Sequence, residues 1–197
     1  MEGRAQCGRH AESGLGVGET YCREIEMFIG LISDTHGVLR SGIQSFLDPV
    51  DAVWHAGDFG GGLGFADSIA AFKPLVGVCG NCDGLDIRRQ YPQHQYFEIQ
   101  SLRVLMTHIG GSPGHYDLRA QALIDSYHPD IFICGHSHIL KVMQDKTNHL
   151  MYINPGAAGL QGWQLESTAL RFKIEDGELK DMEVCRIGRT VQNGQKL

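Results

Sequence analysis

What this sequence lacks narrows it first. No apolar run approaches the roughly 18 to 20 residues that cross a bilayer, so no helical membrane span is expected. The first 26 residues contain no apolar stretch of the kind that marks a secretory leader. Lysine and arginine number 17 against 23 aspartates and glutamates, a net charge of −6. That deficit argues against strong duplex nucleic-acid binding, which calls for a basic stripe. No second cysteine pair accompanies Cys79-x-x-Cys82, so a four-cysteine zinc site is out of reach, and nothing around the pair resembles a redox motif. The glycines at 110, 111 and 114 are followed by no Lys-Ser/Thr, which excludes a phosphate-binding P-loop.

Six cysteines are present, but Cys79 and Cys134 sit inside apolar runs, where a free thiol packs as a small hydrophobe. The expected compartment is therefore a reducing cytoplasm. A hydrophobic content of 42% over 197 residues is enough for one domain with a substantial core. That domain is expected over residues 27–187. Residues 1–26, polar and rich in glycine, read as a flexible extension with Met27 as an alternative beginning, and 188–197 read as a polar tail.

From Met27 strand-like and helix-like segments alternate. Helices are expected over 37–46 and 63–72, a short helix or loop at DGLDIRRQYP, and a helix in LRAQALIDSYH with Asp117 as its N-cap. HQYFEIQSLRVLMTH reads as two strands turning at Gln100–Ser101. After His138 the pattern is strands alone, with a hairpin turn at Glu175-Asp176-Gly177-Glu178. An α/β front and an antiparallel rear predict two packed sheets with helices outside.

Five apolar runs stop abruptly on side chains that bind metals. MFIGLIS leads to Asp34 and His36, DAVWHAG to Asp58, PLVGVCG to Asn81, RVLMT to His108, and DIFICG to His136 and His138. Ligands in open α/β sheets collect beyond the carboxyl ends of strands. Seven oxygen and nitrogen donors delivered there suffice for two adjacent metal ions, and paired metals are suited to phosphoester chemistry. Asp34-Thr-His36 and His136-Ser-His138 share an i, i+2 spacing, which on a strand aims both side chains at one spot. Gly57 and Gly80 let the chain turn sharply before Asp58 and Asn81. Carboxylate, imidazole and amide together suit Mn²⁺, Fe²⁺ or Zn²⁺ better than an all-oxygen site would. His10, His94, His128 and His149 are read as ordinary surface or core residues, and His55 as a residue that packs against or orients the site.

In this order, D-x-H, G-D, G-N, a histidine before glycines and G-H-x-H, the chain resembles the calcineurin-like metallophosphoesterases. The resemblance runs from about Met27 to Arg186 and includes Asn154-Pro155-Gly156. The GNCD form and short length look most like the small bacterial and archaeal phosphodiesterase branch. The resemblance implies a four-layer α/β/β/α sandwich with a dimetal centre at one edge. Asp34, His36 and His138 would hold the first metal, Asn81, His108 and His136 the second, and Asp58 would bridge them. Manganese is the first choice, with iron, zinc, nickel or magnesium as alternatives.

The implied reaction is hydrolysis of a phosphodiester by a metal-bridging hydroxide attacking phosphorus in line, on a small, nucleotide-like substrate. The same site would serve a phosphomonoesterase or a nuclease. A non-catalytic scaffold, as in the retromer subunit that shares this fold, is the competing class. One departure from the family stands out. Cys82 occupies the place of the usual histidine acid, and a thiol near pKa 8.5 is a weak substitute. A preference for esters with good leaving groups is expected, with His115 as a substitute acid and Asp83 as a turn residue beside the site. Replacing Cys82 with histidine is then expected to raise activity on poor leaving groups.

Overall fold

The period-two alternation of the apolar runs decides the layering. In the computed structural model, which describes residues 26–189, the first strand is β1 (Met27–Ile32). Its Ile29 and Leu31 face one way, Phe28 and Ile32 the other. Strands β5 (Leu102–Thr107) and β8 (Ile131–Ile133) repeat the device. Val104, Met106, Ile131 and Ile133 join the cluster of Ile29, while Leu105 and Phe132 belong to a separate cluster. A strand that is apolar on both faces needs cover on both.

One sheet has the order β12 (Glu178–Gly188), β11 (Glu166–Glu175), β1, β2 (Ala52–His55), β3 (Leu75–Gly77), and its β1, β2 and β3 are parallel. The other has the order β4 (His94–Ile99), β5, β8, β10 (Leu150–Pro155), β9 (Leu140–Asp145), with β5, β8 and β10 parallel. Both sheets are mixed, because β11 runs against β1 and β4 against β5. Between them lies the largest core cluster, in which the Trp54 ring meets Phe97 and Phe172 edge-on at 5.1 and 5.9 Å.

Outside the first sheet lie α1 (Ser41–Leu47), α2 (Gly62–Phe72) and α3 (Leu85–Gln90), which contribute Ile43, Leu47, Ile69 and Ile87 to a second cluster. Outside the second sheet α4 (Leu118–Tyr127) packs Ala120 and Ile124 against Leu105, Phe132 and Tyr152. The expected α/β/β/α sandwich is thus present. Asp117 caps α4 as expected, its carboxylate accepting the N–H groups of Arg119 and Ala120 at 2.9 and 3.4 Å. Both expected turns carry the positive φ pairs of tight hairpins, 47° and 70° at Gln100–Ser101 and 53° and 74° at Asp176–Gly177.

Three boundaries differ from expectation. Helix α1 begins at Ser41 rather than near Gly37, because the N–H of Gly37 is drawn to the Phe59 carbonyl at 2.7 Å and that of Val38 to Thr35 at 3.0 Å. The glycine-rich loop after His108 folds into a small hairpin, β6 (Gly111–Ser112) with β7 (His115–Tyr116), turning at Pro113–Gly114. Strand β12 runs to Gly188, one residue into the expected tail, and pairs it with Glu166. The remainder of the expected extension and tail, residues 1–25 and 190–197, lies outside the described residues.

Candidate metal centre

All seven candidate ligands follow the carboxyl ends of parallel strands: Asp34 and His36 after β1, Asp58 after β2, Asn81 after β3, His108 after β5, His136 and His138 after β8. The i, i+2 pairs do not converge by strand pleat, however. Asp34, His36, Asp58, His136 and His138 all have left-handed backbones, with φ of 53°, 47°, 55°, 64° and 58°. These residues lie beyond the strands, in loops tied to one another by Asp34 N–H to the Gly57 carbonyl at 2.9 Å and His36 N–H to that of Asp58 at 3.1 Å. Each such residue costs on the order of 1–3 kcal/mol and persists only where its surroundings over-determine it. Five of the eleven such non-glycine residues among those described fall on candidate ligands.

The donor atoms crowd together. His138 Nε2 is 3.1 Å from Asp34 Oδ1, His108 Nε2 is 3.3 Å from Asp58 Oδ2 and 3.9 Å from Asp34 Oδ1, and His36 Nε2 is 4.0 Å from Asp58 Oδ2. Asn81 Oδ1 lies 3.1 Å from His108 Nε2. Three ligand sets form, Asp34–His36–His138, Asp34–Asp58–His108 and His36–Asp58–Cys82. His136 stands outside them; its ring is exposed and edge-on to His108 at 5.3 Å, while its backbone N–H donates to Asp34 Oδ2 at 3.1 Å.

The residues fit divalent cations. Asp34 is fully buried, and its Oδ1 has no hydrogen-bond partner, an arrangement that is expensive without a cation to complete it. The His108 Nδ1 sits 2.8 Å from the Ala56 carbonyl, which fixes the proton there and leaves the Nε2 lone pair for a metal. Burial alone would lower the His108 pKa, but the hydrogen bond to Asp58 and the charges of Asp34 and Asp58 raise it above the usual value. Burial would likewise raise the Asp58 carboxyl, yet His108 and the Cys82 N–H hold it well below the usual carboxylate range. Gly57 and Gly80 make the close approach possible. A Cβ on Gly57 would stand 2.6 Å from His108 Nδ1, and one on Gly80 would collide with the Asp58 carboxylate.

Behind the ligands stands a supporting layer. The Gly57 N–H donates to His55 Nδ1 at 3.1 Å, so the His55 proton is on Nε2 and is given to Thr35 Oγ1 at 2.8 Å. The Thr35 hydroxyl passes its own hydrogen to the Phe59 carbonyl at 2.9 Å, and the His55 ring stacks on Phe59 at 3.7 Å. The expected orienting role of His55 rests on these contacts. Asp83 accepts the N–H groups of Gly60 and Gly80 at 3.1 and 2.8 Å, linking two ligand loops. Asn154 donates to the Gly135 carbonyl at 2.8 Å and to Ser137 Oγ at 3.1 Å, pinning the turn of His136.

Arg88 was missed by sequence reasoning. Its guanidinium donates to the carbonyls of Asp83, Gly80 and Asn81 at 2.8, 2.7 and 3.0 Å, clamping the Asn81 loop. One arginine of the Arg88–Arg89 pair carries no sequence signal of that role; only the fold brings it against the loop.

Cys82 lies among the ligands, its N–H on Asp58 Oδ1 at 2.7 Å and its sulfur 3.3 Å from Asn81 Nδ2. Lost solvation, the hydrogen bond to Asp58 and the charges of Asp58, Asp83 and Asp34 push its thiol up to about 11. It therefore keeps its proton at neutral pH and is a still weaker acid than its residue type implies. His115 is exposed on β7, paired across the hairpin with Ser112 and outside all three ligand sets.

Known proteins resemble this chain over most of its length. The model of the calcineurin-like phosphoesterase superfamily domain matches residues 27–177. A probable metallophosphoesterase of Methanothermobacter thermautotrophicus is 29% identical over 84% of this chain and 95% of its own length. One of Mycoplasma pneumoniae is 32% identical over 77% of this chain and 92% of its own. Among solved structures, Vps29 of Entamoeba histolytica complexed with zinc superposes with a TM-score of 0.57 at 18% identity, over 81% of this chain and 99% of its own.

Proposed function

Because the chain belongs to the calcineurin-like phosphoesterase superfamily, we propose that it is a dimetal-dependent phosphodiesterase. Asp34, His36 and His138 would hold one ion and Asn81, His108 and His136 the other, with Asp58 shared between them. The observation that carries the reading is the buried Asp34 carboxylate, whose Oδ1 has two imidazole Nε2 atoms at 3.1 and 3.9 Å and no hydrogen bond. Divalent cations bound there would lower the pKa of water and neutralise charge on a phosphoryl group.

The chain's own residues do the rest. Ala56 and Asp58 orient His108, and Arg88 and Asp83 hold the Asn81 loop in place. A net positive pocket in an acidic protein would draw an anionic ester. No side chain among the candidate ligands is a strong acid for the leaving oxygen, since Cys82 holds its proton. Esters with good leaving groups are the expected substrates.

The test is a metal-resolved panel of bis(p-nitrophenyl) phosphate, p-nitrophenyl phosphate and cyclic nucleotides, with Mn²⁺ first and Ni²⁺, Zn²⁺ and Mg²⁺ beside it. Hydrolysis is expected to vanish on chelation and return with Mn²⁺. Asp58→Ala is expected to lower kcat at least about a hundredfold, more than the loss of a residue behind a ligand. Activity that survives complete metal removal refutes the mechanism. A protein-binding scaffold is the second reading. The observation that favours it is an exposed apolar rim beside His138, with Trp163 97% and Leu165 74% exposed. Substoichiometric metal in protein purified with Mn²⁺ present would favour that reading.

A further inference from the structure

A large groove adjoins the candidate metal centre. Its lining joins Asn81 and His108 of the centre to Arg119, Leu123 and Tyr127 of α4, and its volume is about 1,020 Å³. That is at the upper limit of small-molecule pockets and far more than a phosphoryl group fills. Its lining carries a net positive charge, two arginines against one carboxylate. Arg88 and Arg119 line it, and the single carboxylate among the lining residues, Asp117, is engaged as the cap of α4. The Arg119 side chain makes no hydrogen bond or ion pair with another described residue. Arg88 uses Nε and one terminal nitrogen on backbone carbonyls, which leaves its other terminal nitrogen for a ligand. Tyr127, stacked on Tyr96 at 4.7 Å, adds an aromatic surface to the lining.

A cationic groove in a chain of net charge −6 is a local feature that needs a local anion. Guanidinium groups match phosphate oxygens in planar, two-pronged geometry, and aromatic rings accept nucleobases on their faces. We propose that this groove seats the part of the substrate beyond the reacting phosphorus, and that the substrate is a nucleotide-like phosphoester bearing a second phosphate. Arg119 and the free side of Arg88 hold that second phosphate, and the ring system lies toward Tyr127. The inference rests on the phosphoesterase reading and adds the substrate class to it.

Two esters separate the claims: thymidine 5′-(p-nitrophenyl phosphate) and the same compound carrying a 3′-phosphate. In the wild-type protein with Mn²⁺ the 3′-phosphate is expected to lower KM about tenfold, the worth of a charge-assisted phosphate contact. In Arg119→Gln that KM ratio is expected to collapse to about one, while Arg89→Gln, a neighbouring arginine outside the groove, keeps it. A ratio near one in the wild type, or a ratio unchanged in Arg119→Gln, overturns the proposal. Titration calorimetry of thymidine 3′,5′-bisphosphate into the metal-free protein gives a second readout without catalysis. Binding weakened about tenfold by Arg119→Gln supports the groove; binding that is absent, or indifferent to the variant, overturns it. Hydrolysis of both esters with no Arg119 dependence leaves the phosphoesterase reading standing and removes the groove. Arg119-dependent binding with no hydrolysis under any metal does the reverse.

Discussion

Two buried histidines of the centre, His108 and His55, have their pKa shifted in opposite directions. Burial would lower the His108 pKa, but Asp58 and Asp34 raise it, so in the metal-free protein a proton competes for the place a cation would take. Metal binding must displace that proton. Affinity for Mn²⁺ is expected to fall as pH drops from 8 to 6, and loading metal into weakly buffered protein should acidify an indicator dye; a pH-independent affinity would contradict this. His55 is buried and neutral, its pKa lowered from 6.5 to about 3 by desolvation. The unfolded chain therefore binds a proton near pH 6 that the folded chain refuses. The stability His55 contributes is complete above pH 6.5 and is lost as pH falls toward 3, at up to about 1.4 kcal/mol per unit. His108, whose pKa is raised, works in the opposite sense, its contribution being complete only below the unfolded value, so it offsets part of this loss. Urea unfolding of the metal-free protein at pH 5 is expected to show about 1–2 kcal/mol less stability than at pH 7. His55→Asn should flatten that slope, and a protein more stable at pH 5 would sink the argument.

Elements decide how the ligands are held. The strands deliver each ligand to one edge, but the loops after them set its direction, through left-handed turns and clamps such as Arg88. Arg88→Met removes three donors to the carbonyls of the Asn81 loop. Metal affinity on the Asn81–His108 side is expected to fall about 10–100-fold, the usual cost of losing a residue behind a ligand. Metal content after dialysis should drop toward one ion per chain with the far-UV spectrum unchanged; retention of both ions would refute the clamp. The strands, the hairpin turns and the Asp117 cap were legible in the sequence, because each depends on a local period or a turn residue. The late start of α1 and the β6–β7 hairpin were not. The first follows from the pull of the Phe59 carbonyl on Gly37, a contact 22 residues distant in number, and two-residue strands have no period to read.

For the whole molecule, the layer between the sheets joins front and rear halves of the chain. Trp54 of β2 touches Phe97 of β4 and Phe172 of β11, so neither sheet keeps its core if the other leaves. Trp54→Ala is expected to cost about 3–5 kcal/mol. Calorimetry of the wild type should show one transition that loses both sheets together, and two resolved transitions would contradict the shared core. The sequence by itself determined the identity and order of the candidate ligands, the strands apolar on both faces and the capped helix, because composition and local periodicity carry those directly. The left-handed loops, the neutral His55, the Arg88 clamp and the arginine-lined groove came from packing. Each of these depends on groups far apart in the chain, as His108 and Ala56 are at a separation of 52 residues, and contact at that range is a property of packing that no local pattern encodes.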